Sequence, residues 1–229
     1  MGRIQEVSKK LSGENITKNK YHIGIRLRGF SRRFLKEKRN FFDVEEGKYV
    51  PHITLIRPFH TKNEKEVSEI FEKTCSEQKE PMKFNLGDFD LFDLFGDEEK
   101  VVYIKVNSGK NMNLFVDSLE KNLEDKIIYE EEKISKKRIL HVTAYIGKDY
   151  KKIINFTNEK NSTIYQYLLR TYLLKNKKIL FEYDFFLKDL LSREEALDKK
   201  IFKKTIEEFT RKTGLTSGKI NFMNLIQNP

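Results

Sequence analysis

Apolar side chains recur along the chain at two spacings, and the spacing separates strands from helices. Tyr21, Ile23, Ile25 and Leu27 alternate with His22, Gly24, Arg26 and Arg28, the period of a strand with one buried face. Val50–Pro58 is a short β-rich run that Pro58 is expected to close. Asn63 followed by Glu66 has the form of a capping box, and Val67, Ile70, Phe71 and Cys75 then mark one stripe of a helix that stops before Pro81. Met82–Phe95 is a strand with a bend or bulge at Gly87, and Val101–Val106 is a further strand. Met112, Phe115, Val116, Leu119 and Leu123 have helical spacing. Ile139–Ile146 is a strand ended by Gly147. Ile164–Leu174 and Lys178–Tyr183 are expected to form a late hairpin around Lys175-Asn176-Lys177. Ser192 and Glu195 form a second capping box, opening a helix with Leu197, Ile201, Phe202, Ile206 and Phe209 that ends near Gly214. Residues 1–19 are polar and aperiodic, a loose lead-in, and 31–46 form a surface connection.

At about 150 residues per domain, the 229 residues make one large domain or one with an appendix. The expected class is α+β, a domain over 20–184 with a helical extension over 185–229. No apolar run reaches the roughly 18 residues of a membrane helix, and Met1 leads into polar sequence without the apolar stretch of a secretory signal. A soluble, cytoplasmic monomer is the expectation. The single Cys75 excludes an internal disulfide and a cysteine zinc cage. Lys and Arg exceed Asp and Glu, 45 to 35, for a net charge of +10, which favours polyanions such as nucleic acid. Basic residues are dispersed among acidic ones, and compositional bias explains the excess equally well.

Two short motifs change the picture. His52-Ile-Thr54 and His141-Val-Thr143 each lie in a strand-like run, 89 residues apart, within a coarse repeat of strand, helix, strands and helix. Histidine and threonine at i and i+2 of a strand point the same way, about 6–7 Å apart. The intervening Ile53, Leu55, Val142 and Ala144 anchor the other face. Two such strands side by side would present two imidazoles and two hydroxyls to one cleft. Imidazoles near pKa 6.5 serve as general acid and general base at neutral pH, and hydroxyls donate to phosphoryl oxygens. The set suits displacement at phosphorus with no cofactor. The alternative is a pair of strand histidines with ordinary hydrogen bonds. No His-x-His and no carboxylate within either motif suggests a metal site, and no Gly-x-Ser-x-Gly elbow suggests a serine hydrolase.

Pro51-His-Ile-Thr-Leu-Ile-Arg-Pro-Phe59 and Leu140-His-Val-Thr-Ala-Tyr145 resemble the paired motifs of the two-histidine (2H) phosphoesterases. That family includes the RNA 2′,3′-cyclic phosphodiesterases, also called 2′–5′ RNA ligases. The resemblance spans about residues 20–184. It implies two duplicated β-sheet lobes with outer helices and a central cleft, and metal-independent opening of a cyclic phosphate on RNA or a nucleotide. By position it makes His52 and His141 the acid/base pair and Thr54 and Thr143 the phosphate-binding hydroxyls. Many relatives carry an arginine five residues after the second histidine; here that position is Ile146. Arg57 stands five residues after the first histidine and is a candidate substitute. Lys178–Asp184 and Leu191–Leu197 resemble the C-terminal stretch of a prokaryotic subset.

Further candidates stand beside plainer readings. Tyr145 shares parity with His141 and Thr143, so it lines the cleft or packs across strands. Phe59 stacks on a base or, preferably, staples the following helix. His22 is better explained by a rim or core hydrogen bond than by catalysis, and His60 is expected in a loop. Arg26 and Arg28 line a groove or a solvated face. Tyr183 and Asp184 could orient the C-terminal helix, and Arg193 could cap or pair there. Small cyclic or 2′–5′-linked oligonucleotides are alternative substrates, and an RNA-end binding module without turnover is an alternative role.

Overall fold

Odd-numbered residues of the opening strand turn inward, and the rest of the fold is built against that face. The computed structural model describes residues 19–27, 51–93, 100–129, 138–148, 150–151 and 164–215. Its elements are β1 (Tyr21–Arg26), β2 (His52–Thr61), α1 (Glu64–Ser76), β3 (Lys83–Asp93), β4 (Lys100–Ser108), α2 (Lys110–Leu123) and β5 (Ile127–Tyr129). They continue with β6 (His141–Gly147), β7 (Ile164–Tyr167), β8 (Arg170–Lys175), β9 (Lys178–Asp184), β10 (Asp189–Ser192), α3 (Arg193–Leu197) and α4 (Lys199–Thr213). Residues 1–18 of the lead-in, the 31–46 connection and Arg28 lie outside the described residues.

The strands pair in the order β10-β9-β8-β1-β2-β6-β4-β3-β7, with β5 alongside β2. Every pairing is antiparallel. Five strands up to β2 and four from β6 onward make two lobes. They join between β2 and β6, where Ile53 pairs with Val142. The two His-x-Thr strands are therefore the central strands, one from each lobe. Tyr21, Ile23 and Ile53 on one side and Val102, Ile104 and Val142 on the other enter one core. Val67, Phe71 and Cys75 of α1 and Met112, Phe115, Val116, Leu119 and Leu123 of α2 cover it. Each such side chain contributes about 1.5–3 kcal/mol by leaving water.

Several sequence expectations change in the structure. Pro58 does not close β2, which continues to Thr61. Tyr21 pairs with Phe59 and Ile23 with Ile56, so β2 carries an extra residue at Arg57–Pro58. In such a bulge, proline's missing N–H breaks no ladder bond. His60 is therefore not in a loop: it is buried in β2, with Nδ1–H donating to the Asn19 carbonyl at 2.9 Å. The capping box at α1 is half formed. Asn63 accepts from the Glu66 amide at 3.2 Å, but the Glu66 carboxylate turns to Lys126 at 2.8 Å.

The expected arm Ile164–Leu174 is two strands. It divides at Leu168 and Leu169, so that β7 pairs with β3 at one edge while β8 joins β1 in the other lobe. The expected turn does join β8 to β9: Asn176 and Lys177 have φ of 49° and 68°, as a tight hairpin turn requires. The expected C-terminal helix is also two. The Ser192 capping box opens α3, but Asp198 adopts an extended conformation and caps α4 by accepting from the Lys200 amide. Gly214, at φ 67°, ends α4 in the left-handed conformation that glycine tolerates best.

Candidate active site

The register at the lobe junction assembles the two motifs. Antiparallel pairing of Ile53 with Val142 sets His52 across from Thr143 and Thr54 across from His141. Residues so placed have Cβ atoms about 4.5–5.5 Å apart, and the two histidines, on the diagonal, about 7–8 Å. Ile53 and Val142 are both fully buried, fixing the strands from below, while His52, Thr54, His141 and Thr143 are each half-buried on the opposite face. The two imidazoles and two hydroxyls thus share one patch.

His141 is held by its neighbours. Its Nδ1–H donates to the Ile139 carbonyl at 3.0 Å, leaving Nε2 as the other ring nitrogen. Phe92 and Tyr103 meet the ring edge-on, at 4.9 and 5.3 Å between centroids, and stack on each other at 3.9 Å. Tyr103 pairs with Thr143 across β4 and β6, and its hydroxyl donates to Asp90 at 2.9 Å. Burial and, after it, that carboxylate push the Tyr103 phenol up to about 12, so it stays protonated. Burial lowers the His141 pKa; the Ile139 carbonyl opposes this, and the charge of His52 adds to it.

Around His52 the surroundings differ. Arg26 is its cross-strand partner on β1, and Gly24 is the partner of Thr54. His22 lies on the same β1 face, with its ring 5.7 Å from that of His52. The His22 Nε2 and the Tyr172 hydroxyl of β8 are hydrogen-bonded at 3.0 Å. The hydrogen bond expected for His22 is thus present, but the ring also touches the candidate pair.

The other candidates are placed as follows. Tyr145 does not share the histidine face. Tyr103 pairs with Thr143 but the next residue back, Val102, pairs with Tyr145, so Ala144 forms a bulge that reverses the parity. Tyr145 packs against the core instead. Arg57 is exposed, and its guanidinium lies 4.8 Å over the Tyr129 ring. Ile146 is 57% exposed. Phe59 is fully buried and stacks on Tyr21 at 5.7 Å, so it offers no surface to a base. Arg193 pairs with Glu182 at 3.1 Å, and Asp184 binds Arg170 at 2.6 Å.

Tyr172, Tyr103, Phe92 and Asp90 carry no motif. Only the alternation of β1 hinted at the face holding His22 and Gly24, and their approach to His52 depends on pairings that no local pattern encodes. Among the described residues, no three His, Cys, Asp or Glu side chains converge as metal ligands would, and no helix is long and apolar enough to cross a membrane.

Two solved structures of Kluyveromyces marxianus Usb1 resemble the fold at 10% identity. The one with uridine monophosphate covers 70% of this chain and 95% of its own, at a TM-score of 0.43. The other covers 72% and 96%, at a TM-score of 0.40. No curated protein gives a significant match. The family model of the 2′-5′ RNA ligase superfamily matches residues 27–164, a span that holds both His-x-Thr motifs and the strands that pair them. The chain belongs to the 2′-5′ RNA ligase superfamily, the group that its two histidine motifs resemble.

Proposed function

We propose that the protein is a phosphodiesterase that opens RNA-type 2′,3′-cyclic phosphates to 2′-phosphates, with His52 and His141 as a general acid–base pair. The observation that carries the reading is the single register, Ile53 with Val142, that brings both His-x-Thr motifs onto one face. His141 is the base. Its lowered pKa leaves it neutral at pH 7, and Nδ1 is committed to Ile139, so the Nε2 lone pair is available to water. Water loses a proton to His141 as its oxygen bonds to phosphorus. The bond from phosphorus to O3′ breaks, and His52 delivers a proton to that oxygen. The products are a 2′-phosphate and a 3′-hydroxyl. Thr54 and Thr143 donate to the non-bridging oxygens, where charge develops in the crowded intermediate. Microscopic reversibility allows 2′–5′ ligation by the same groups.

The test is turnover, in the presence of a chelator, of an oligoribonucleotide with a 2′,3′-cyclic end, compared with a cyclic dinucleotide and a 2′–5′-linked oligonucleotide. Mass and nuclease sensitivity identify the product linkage. The exposed Ile146, at the position where many relatives have arginine, favours a second reading, an RNA-end binding module. Tight, salt-dependent binding without product would support that reading.

The pH profile is expected to be bell-shaped. Activity needs neutral His141, so it rises as pH climbs through the His141 pKa. Because burial lowers that pKa, the acidic limb of kcat/KM lies below pH 6.5, the ordinary histidine value. An acidic limb at or above 6.5 would contradict the assignment of His141 as base.

A further inference from the structure

The face of β1 beside the pair holds a third imidazole, in a space made by a missing side chain. His22 and Arg26 flank Gly24, which pairs with Thr54 on one side and Tyr172 on the other. A Cβ at Gly24 would stand 2.7 Å from the Tyr172 hydroxyl and 2.8 Å from the Ile53 carbonyl. The bare glycine lets the Tyr172 phenol lie over β1 and reach His22. The His22 and His52 rings come within 5.7 Å, although His22 lies four residues from Arg26, the partner of His52. The Tyr172 ring meets His22 edge-on at 5.4 Å, closing the other side.

We propose that His22, pinned by Tyr172 in the space over Gly24, is a positioning residue that buttresses the His52 imidazole as an uncharged neighbour. Burial first, then the charges of His52 and Lys20, lower the His22 pKa to about 4, so the ring is neutral when the enzyme works. Burial raises the Tyr172 pKa, opposed by Arg26 and reinforced by Glu182, so the phenol stays protonated beside Nε2. Lys20, Arg26, His52, Tyr172 and Glu182 are the charged or titratable groups acting on the His22–Tyr172 pair. A cation in place of His22 would repel the proton that His52 needs as general acid. A neutral ring supports His52 without competing for it. The inference rests on the reading of His52 as the acid.

The experiment compares His22→Lys and His22→Gln, following turnover against pH and the His52 imidazole by NMR titration. His22→Lys places a permanent charge beside His52 and is expected to lower its titration, and the alkaline limb of activity, by about one pH unit. KM is expected to change less than about twofold. His22→Gln keeps a neutral group that can hydrogen-bond Tyr172, and restores the wild-type limb. A buttress of structural value alone would leave both limbs unmoved, and an unmoved His52 titration in folded His22→Lys overturns the proposal. Where His22→Lys does not fold, Tyr172→Phe removes the hydroxyl that pins His22 and is expected to shift the His22 titration. An unchanged His22 titration there also overturns it. The NMR arms need no turnover, so a chain that opens no cyclic phosphate but shows these shifts refutes the proposed activity and supports the coupling.

Discussion

Alanine in place of His52 or of His141 is expected to lower turnover of a cyclic-phosphate end by about 10²–10⁴-fold each, the usual contribution of a positioned proton-transfer group. The paired variant is expected to lose little more than the worse single one. Once either proton path is lost, the other histidine has no complete reaction to serve. Both side chains are half-buried above a core sealed by Ile53 and Val142, so truncation leaves the strands in place. Circular dichroism and thermal unfolding should therefore stay close to wild type while activity disappears. The flanks of the profile should also separate the two roles. His52→Ala removes the alkaline limb set by the acid, and His141→Ala removes the acidic limb set by the base. Full activity in either variant refutes the acid–base pair, whatever the family.

Asp184→Ala is expected to destabilise the protein by about 3–5 kcal/mol, because it strands a buried cation. Asp184 is fully buried and Arg170 is 6% exposed, with 2.6 Å between Nε and Oδ2. The other carboxylate oxygen accepts from the amides of Phe186 and Leu187, both at 3.0 Å. Thr205 of α4 completes the cluster: its hydroxyl donates to Asp184 at 2.6 Å and accepts from Arg170 at 2.8 Å. Arg170 also donates to the Ala196 carbonyl at 2.9 Å, and its guanidinium lies 5.5 Å over Phe202. Removing the carboxylate leaves the guanidinium without its countercharge. Melting should fall by roughly 6–20 °C for a chain of this size. Replacing Arg170 and Asp184 together by apolar residues of similar volume should cost much less, because no charge is then left alone. A loss below about 1 kcal/mol in Asp184→Ala would show the cluster to be loosely solvated. The cluster also bears on the expected division at residue 184. Arg170 and Asp184 lie before it, Ala196 and Thr205 after it, and Phe186 and Phe209 enter the common core. Ending the chain at Asp184 is expected to expose that core and to destabilise the sheet, as urea unfolding of the shortened chain would report.

Local patterns gave both His-x-Thr motifs their strands, and gave α2 all five of its buried positions. The alternation of β1 also separated Tyr21, Ile23 and Ile25 from the face of His22 and Arg26. They failed where an extra residue entered a strand. Tyr145 was placed by counting in twos from His141, and the bulge at Ala144 turned it to the core. Pro58 suggested an end because proline lacks a donor, but a bulge has no use for that donor. Asp198 sits inside a helical apolar pattern, and its side chain competes for the backbone well enough to end one helix and cap the next.

The sequence alone determined which side chains could do chemistry and which face of each strand carries them, because a strand's period of two is a local steric property. It also determined the helical stripes, since those too repeat within a few residues. Only the tertiary structure decided that β2 and β6 meet at Ile53 and Val142, that β8 crosses to β1 while β7 stays with β3, and that His22 reaches His52 over Gly24. Those contacts join residues far apart in the chain. Their register is set by the packing of one shared core, which no short stretch of sequence contains.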